Sequence, residues 1–144
     1  MTLTEQIFWG SVTLGLCFAV EIALLVFCNV WLEKLSRKMK RRSVVIRAGT
    51  LIAFALGAIV LAHTIQVWMW AGTWVLWDVM PDWNSAIYFS LVTYTTLGYG
   101  DIVLGPDLRI FAAFAAVTVL LAFGLSTSYL VAMMTRMFEH HGKI

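Results

Sequence analysis

The sequence predicts an all-α membrane protein, and three observations carry that prediction. Of the 144 residues, 61% are hydrophobic and only 12% charged, too little polar surface to coat a soluble domain. Three apolar stretches, 7–32, 44–70 and 108–138, are each long enough to cross the roughly 30 Å of a bilayer's hydrocarbon as helices of about 20 residues or more. A fourth run, 83–94, is too short to span. At membrane depth such a segment is tolerated only where protein or water surrounds it, so it predicts a re-entrant or buried helix.

The first stretch is read as a retained span. No basic residue precedes it, its apolar run is too long for a signal peptide, and no small-residue cleavage site follows. Cys17 and Cys28 both fall in it, about 16 Å apart by helical rise, so they cannot bridge each other and serve as small apolar residues. Small residues recur every fourth position at Ser11, Gly15 and Ala19 and again at Gly49, Ala53 and Gly57, which predicts helix-packing faces.

Seven of the ten basic residues lie between Lys34 and Arg47. The excess makes 33–43 a cytoplasmic linker. Met1 to Gln6 carries no basic side chain, whereas Asp78 and Asp82 follow the second span. Three spans then put the N-terminus and the short run 83–94 outside and the tail 139–144 inside. Trp9, Trp68, Trp70, Trp74, Trp77 and Trp83 gather near the outer interface, and Trp31 marks the inner one. The basic cluster is foremost a determinant of topology. At about 1 kcal/mol per basic residue, Lys34, Arg37, Lys38, Lys40, Arg41 and Arg42 are also candidates for binding anionic lipid. A voltage sensor needs spaced arginines inside an apolar span, and this cluster lies between spans.

The segment "TYTTLGYGD", Thr93 to Asp101, sets hydroxyls, glycines and a carboxylate beside apolar runs. A dinucleotide-binding loop is excluded, because Val103 stands where a third glycine is needed and no strand–helix–strand pattern surrounds it. A surface turn explains Gly98, Gly100 and Asp101 but not three threonines at the end of an apolar half-helix. Ion coordination explains all of them. Stacked carbonyls can replace an ion's hydration shell, and pointing consecutive carbonyls one way needs alternating backbone handedness, which glycine at every second position permits.

These residues carry a family resemblance. Thr96-Leu97-Gly98-Tyr99-Gly100-Asp101 resembles the T-V-G-Y-G-D selectivity filter of potassium channels, with Leu for Val. "AIYFSLVTYTTLGYGD" is similar to that family's pore helix and filter, and Phe123 to Val131, "FGLSTSYLV", to its inner helix. The resemblance covers about 44–137 and implies a pore domain over 44–138, with an outer helix, a pore helix at 83–94, a filter at 95–101 and an inner helix at 108–138. It further implies a homotetramer around one axial pore, with K+ held by the carbonyls of Thr96, Leu97, Gly98 and Tyr99 and the Thr96 hydroxyl. Gly100 completes the filter and Asp101 stands at its outer mouth. Leu120, Phe123, Thr127 and Val131 would line the cavity.

Two departures from the family pattern raise expectations of their own. Where relatives brace the filter aspartate with a pore-helix Trp or a buried Glu, this chain has Phe89 and Val92, so Asp101 is expected to lack a brace and the outer filter to be prone to inactivation at low external potassium. The usual glycine hinge of the inner helix is replaced by Val119-Leu120-Leu121, and Gly124 is the glycine of that helix.

Glu21 and His63 are ionisable residues inside spans, with Gln66 one turn beyond His63. Such residues are functional candidates by default. Antiparallel spans bring Glu21 and His63 to similar depth, where the two could meet: the structural reading is a buried hydrogen-bonded pair or a protonated Glu21, and the functional one a proton-sensitive latch that couples the first helix to the pore. Arg109 is read as an interface anchor paired with Asp107, and His140 and His141 as a solvated tail. No enzyme constellation and no cofactor motif is visible; K+ is the permeant ion. The expected function is passive potassium conduction in a multi-pass protein of a plasma or bacterial inner membrane. A cation channel that also passes sodium and a non-conducting accessory subunit remain the alternatives. With no long segment after Phe138, gating is expected to act through the membrane segments, the basic loop, the filter or a partner chain.

Overall fold

A computed structural model describes residues 1–139. It contains four helices in chain order, α1 (Leu3–Lys38), α2 (Val44–Leu76), α3 (Trp83–Tyr94) and α4 (Arg109–Glu139), and no strand among the described residues. Helices α1, α2 and α4 are long and apolar enough to cross a membrane. The 36 residues of α1 extend about 54 Å by helical rise, well beyond the hydrocarbon thickness. His140 and His141 lie outside the described residues.

Helices α1, α2 and α3 each start for a local reason. Thr2 and Glu5 form a reciprocal capping box on α1. The Ser43 side chain accepts from Ile46 N–H at the start of α2, and Asp82 accepts from both the backbone and the hydroxyl of Ser85 at the start of α3. Helix α1 runs further into the basic segment than the linker 33–43 anticipates. Leu, Glu, Lys and Arg are good helix formers, Glu33 pairs with Arg37 at 3.3 Å, and Arg37 and Lys38 complement the carbonyl end of the last turn. Likewise α2 continues past Trp70 to Leu76 because that extra turn drives Trp74 into the core.

Helix α4 is capped from a distance. The Gln6 side-chain oxygen of α1 accepts from the N–H groups of Ile110 and Phe111 at 3.2 and 3.3 Å. These are two of the orphan donors every helix start must satisfy. Close by, Gly10 lets α1 and α4 touch, since a Cβ there would sit 2.5 Å from the Phe114 ring. Helix α1 packs on α2 and α4, and α3 packs on those same two helices.

Two of the tryptophans assigned to the interface are core residues instead. Trp70 and Trp74 are fully buried, stacked on each other and set against Phe111. The Trp74 indole donates to Ser90 of α3 at 2.9 Å. Trp9, Trp68, Trp77 and Trp83 remain exposed. Their neighbours explain the split: positions 67, 70, 71 and 74 form the buried stripe of α2 facing α3 and α4.

The small-residue stripes do not pack within the chain. Ser11, Gly15, Ala19, Gly49, Ala53 and Gly57 are all exposed, and nothing lies within 4 Å of a Cβ built at Gly15, Gly49 or Gly57. The buried stripe of α1 is Gln6, Gly10, Cys17, Glu21, Leu25, Cys28 and Leu32. Lipid is as apolar as leucine, so burial of hydrophobic area gives helices little reason to associate there. Close packing and hydrogen bonds decide the contact face. Both cysteines are free and buried. Arg109 makes no ion pair with Asp107 among the described residues.

Candidate functional site

The segment after α3 has alternating backbone handedness. Thr96, Gly98 and Gly100 have φ of +59, +55 and +79°, while the residues between them keep negative φ. Gly98 and Gly100 meet this need without cost. Thr96 does not: a β-branched residue in the left-handed region costs about 1–2 kcal/mol, so its surroundings must hold it there. The spacing of the glycines indicates two left-handed positions, and the third, at a threonine, has no signature in the sequence.

What holds the segment is α3. Val92 C=O accepts from the N–H groups of both Leu97 and Gly98 at 3.1 Å, and Thr93 C=O accepts from Thr96 N–H at 3.0 Å. These carbonyls belong to the last turn of α3 and have no partner within the helix. The Thr95 hydroxyl donates to Leu91 C=O at 2.6 Å. Thr96 to Asp101 are all exposed at the surface of the chain.

At the far end, Asp101 is braced after all. Tyr88 O–H donates to Asp101 Oδ2 at 2.5 Å. The expectation of an unbraced carboxylate considered Phe89 and Val92, both of which are buried against the core. Tyr88 lies one position earlier, on the exposed face of α3, and its phenol spans the gap. Donation from Tyr88 holds the Asp101 carboxyl below the usual carboxylate range, and the same bond raises the Tyr88 phenol.

Beneath the segment lies a buried hydrogen-bond network drawn from all four helices. Glu21 and His63 are both in it, but they do not pair. Glu21 accepts from Ser126 O–H of α4 at 2.6 Å and from Gln66 Nε2 of α2 at 3.1 Å. His63 Nδ1 lies 2.8 Å from the Tyr94 hydroxyl of α3, and Tyr94 donates to Gln66 Oε1 at 2.5 Å. The expected pair is therefore bridged by Tyr94 and Gln66, because His63 faces the end of α3 rather than α1.

The proton positions follow from counting donors. Gln66 Nε2 also meets Cys17 C=O at 3.1 Å, and a carbonyl only accepts, so the amide nitrogen must face α1 and its oxygen must face Tyr94. Tyr94 has one proton and gives it to Gln66. His63 must then donate from Nδ1. The network is polarised from His63 through Tyr94 and Gln66 to Glu21. Gln66, Glu21 and Ser126 are all buried, as is Tyr94, so no water replaces a lost partner. Tyr94 and Ser126 had no periodic signal to mark them; the clue available was a phenol and a hydroxyl at apolar-helix positions facing Glu21 and Gln66.

On α4, Leu120, Phe123, Thr127 and Val131 share one exposed face, opposite the buried stripe of Phe111, Ala115, Thr118, Ala122 and Ser126. The helix is continuous, and Gly124 has open space around it. Lys34, Arg37, Lys38, Lys40, Arg41 and Arg42 are all exposed. No cluster of three metal-ligating side chains occurs among the described residues.

A family model described as ion channel matches residues 49–136, which takes in α2 from its second turn, α3, the alternating segment and most of α4. The chain belongs to the ion channel family. No curated protein and no solved structure matches it. The ion channel match begins after α1, so the helix that caps α4 through Gln6 and supplies Glu21 stands outside the matched region. With three helices able to span, the protein is an integral membrane protein.

Proposed function

We propose that the chain is the subunit of a homotetrameric, potassium-selective channel, with Thr96–Gly100 as its selectivity filter. The observation that carries this reading is the alternation of φ at 96, 98 and 100. Alternating handedness turns successive carbonyls to one side, and four such segments around an axis replace the hydration shell of K+ layer by layer. The carbonyls of Thr96, Leu97, Gly98 and Tyr99 and the Thr96 hydroxyl are the coordinating oxygens. A threonine kept where glycine is cheaper fits a role for that hydroxyl. The pore helix is the re-entrant α3, Asp101 stands at the outer mouth, and the exposed face of Leu120, Phe123, Thr127 and Val131 lines the cavity. Conduction is passive, with neighbouring ions repelling one another along the file, and no chemical step is catalysed. The basic turn between α1 and α2 lies on the cytoplasmic side of a plasma or bacterial inner membrane.

The buried network supports a gating role for Glu21 and His63. It ties α1 and α2 to Tyr94, two residues before the first left-handed position, so its integrity supports the base of the filter. Conduction is tested by reconstituting the pure protein in liposomes and measuring potassium flux with barium as blocker, beside Gly98→Ala and Gly100→Ala. Barium-sensitive flux in the parent and none in the variants supports the filter assignment, whereas silence in the parent favours an accessory subunit. The gating role is tested by the pH dependence of open probability in Glu21→Gln and His63→Ala; an unchanged profile in both removes it.

A further inference from the structure

His63 is the member of the buried network that reaches the surface of the chain. Tyr94, Gln66, Glu21 and Ser126 are buried, whereas His63 is half-buried. Its Nδ1 is committed: Tyr94 gives its one proton to Gln66, so the imidazole must donate to the Tyr94 oxygen, 2.8 Å away. Its Nε2 makes no hydrogen bond among the described residues. Trp70 Nε1 is the only fully buried side-chain nitrogen or oxygen without a partner among those residues, so Nε2 of His63 is accessible from outside the chain. A neutral imidazole protonated at Nδ1 keeps a free lone pair at Nε2, and a proton can be added there without breaking any bond of the network. Glu21 offers no such atom. Its Oε1 accepts from Ser126 and its Oε2 from Gln66. A proton added to it would require Ser126 to reverse its hydroxyl or Gln66 to turn away from Cys17 C=O.

We infer that His63 is the proton switch of the channel and that Nε2 is the atom that titrates, while Glu21 serves as a fixed acceptor. Protonation at Nε2 turns the bond to Tyr94 into a charge-assisted one, roughly twice as strong. Tyr94 donates to Gln66 and Gln66 to Glu21, so the donors all run one way, from the new cation to a carboxylate, and each bond polarises the next. The imidazolium therefore tightens the hold of α2 and α1 on Tyr94, two residues before the left-handed Thr96. The titratable groups set around the ring are Tyr94 of α3 and, beyond Gln66, Cys17 and Glu21 of α1; α4 contributes Ser126, which does not titrate. No ion pair to His63 occurs among the described residues. The added hold is present while the imidazole is charged and is lost as pH rises through its titration. Acid thus favours the conducting filter base. The switch rests on the gating reading of the network given above and assigns the proton to one of the two residues named there.

Nitrogen-15 NMR of the full chain labelled at histidine tests the proton's place without any ion flux. Replacing His140 and His141 by Gln leaves His63 as the only labelled ring. The neutral ring is expected to carry its proton on Nδ1. Nε2 alone should change protonation between about pH 8 and about pH 5.5, on either side of the usual histidine value. A neutral ring protonated at Nε2, or no titration in this window, overturns the proposal. Reconstituted channels supply the second arm: open probability should rise about threefold over the same acidification, the effect of doubling one hydrogen bond between helices. His63→Asn keeps an N–H donor at the place of Nδ1 and cannot titrate, so it should lose the rise. Glu21→Gln still accepts from Gln66 and should keep it. A rise that persists in His63→Asn, or that vanishes in Glu21→Gln alone, overturns the switch. A chain that titrates at Nε2 yet passes no potassium fails the potassium reading, and a conducting chain with the wrong tautomer fails the switch, so the two failures are told apart.

Discussion

Replacing Tyr94 by Phe removes one oxygen and leaves the ring in its place. Two hydrogen bonds go with it, from His63 and to Gln66, each joining α3 to α2. Hydrogen bonds between helices in membrane proteins are worth about 0.6 kcal/mol on average, so the pair amounts to about 1.2 kcal/mol. An unpaired acceptor at a fully buried Gln66 argues for more, about 1–3 kcal/mol by the scale for soluble proteins. The membrane figure governs, because helices separated in the bilayer also find partners for their polar groups. If the bonds hold only while the filter base is in its conducting arrangement, Tyr94→Phe shifts that equilibrium about eightfold. The assay is open probability of reconstituted channels in planar bilayers at fixed potassium, together with Gln66→Leu and the double variant. Residues of one network must be non-additive. Tyr94→Phe with wild-type open probability, or strictly additive effects of Tyr94→Phe and Gln66→Leu, would refute the coupling of α1 to the filter.

Three further expectations concern other contacts. Gly10→Val places a side chain where even a Cβ lies 2.5 Å from the Phe114 ring; overpacking of about 1–3 kcal/mol should lower the thermal midpoint in detergent, and an unchanged midpoint would show that α1 and α4 are not held in this contact. Gln6→Ala leaves the N–H groups of Ile110 and Phe111 without their acceptor; a loss of about 1 kcal/mol, as for other helix caps, should appear as faster hydrogen exchange at the start of α4. The Tyr88 bond depresses the Asp101 carboxyl, so its contribution is fully present above the ordinary carboxylate value and is lost as pH falls through the lowered one. Tyr88→Phe should therefore move the acid limb of channel activity to higher pH, and coincident acid limbs would show that the bond does not brace the outer mouth.

Much of the fold can be read from the sequence because a membrane imposes length. Residues 83–94 emerge as a separate short helix from the apolar run alone, and Asp82 supplies the cap that starts it. What the sequence hides is the direction in which side chains face. Ser11, Gly15 and Ala19 look like a packing stripe, yet the face that packs is marked by Gln6, Gly10 and Glu21, where hydrogen bonds and one close approach decide. Trp70 and Trp74 carry the composition of an interface belt and the position of a core. The Glu21–His63 pairing fails for a similar reason: comparable depth does not say whether a side chain points at α1 or at α3, and Tyr94 takes His63 away. Asp101 seemed unbraced because the two positions usually compared are Phe89 and Val92, while the donor sits at Tyr88. The strained backbone of Thr96 is the feature furthest from sequence, since only the three-dimensional hold of Val92 and Thr93 on the following residues explains it.

The ion channel match places the chain in its family, and the alternating backbone at Thr96, Gly98 and Gly100 is the reason to assign potassium. A single measurement decides that assignment: the reversal potential of the reconstituted wild-type channel with potassium on one side of a bilayer and sodium on the other. A potassium-selective filter predicts a current that reverses far toward the potassium equilibrium potential and is blocked by barium. A reversal potential near zero, with sodium carried as readily as potassium, would contradict it.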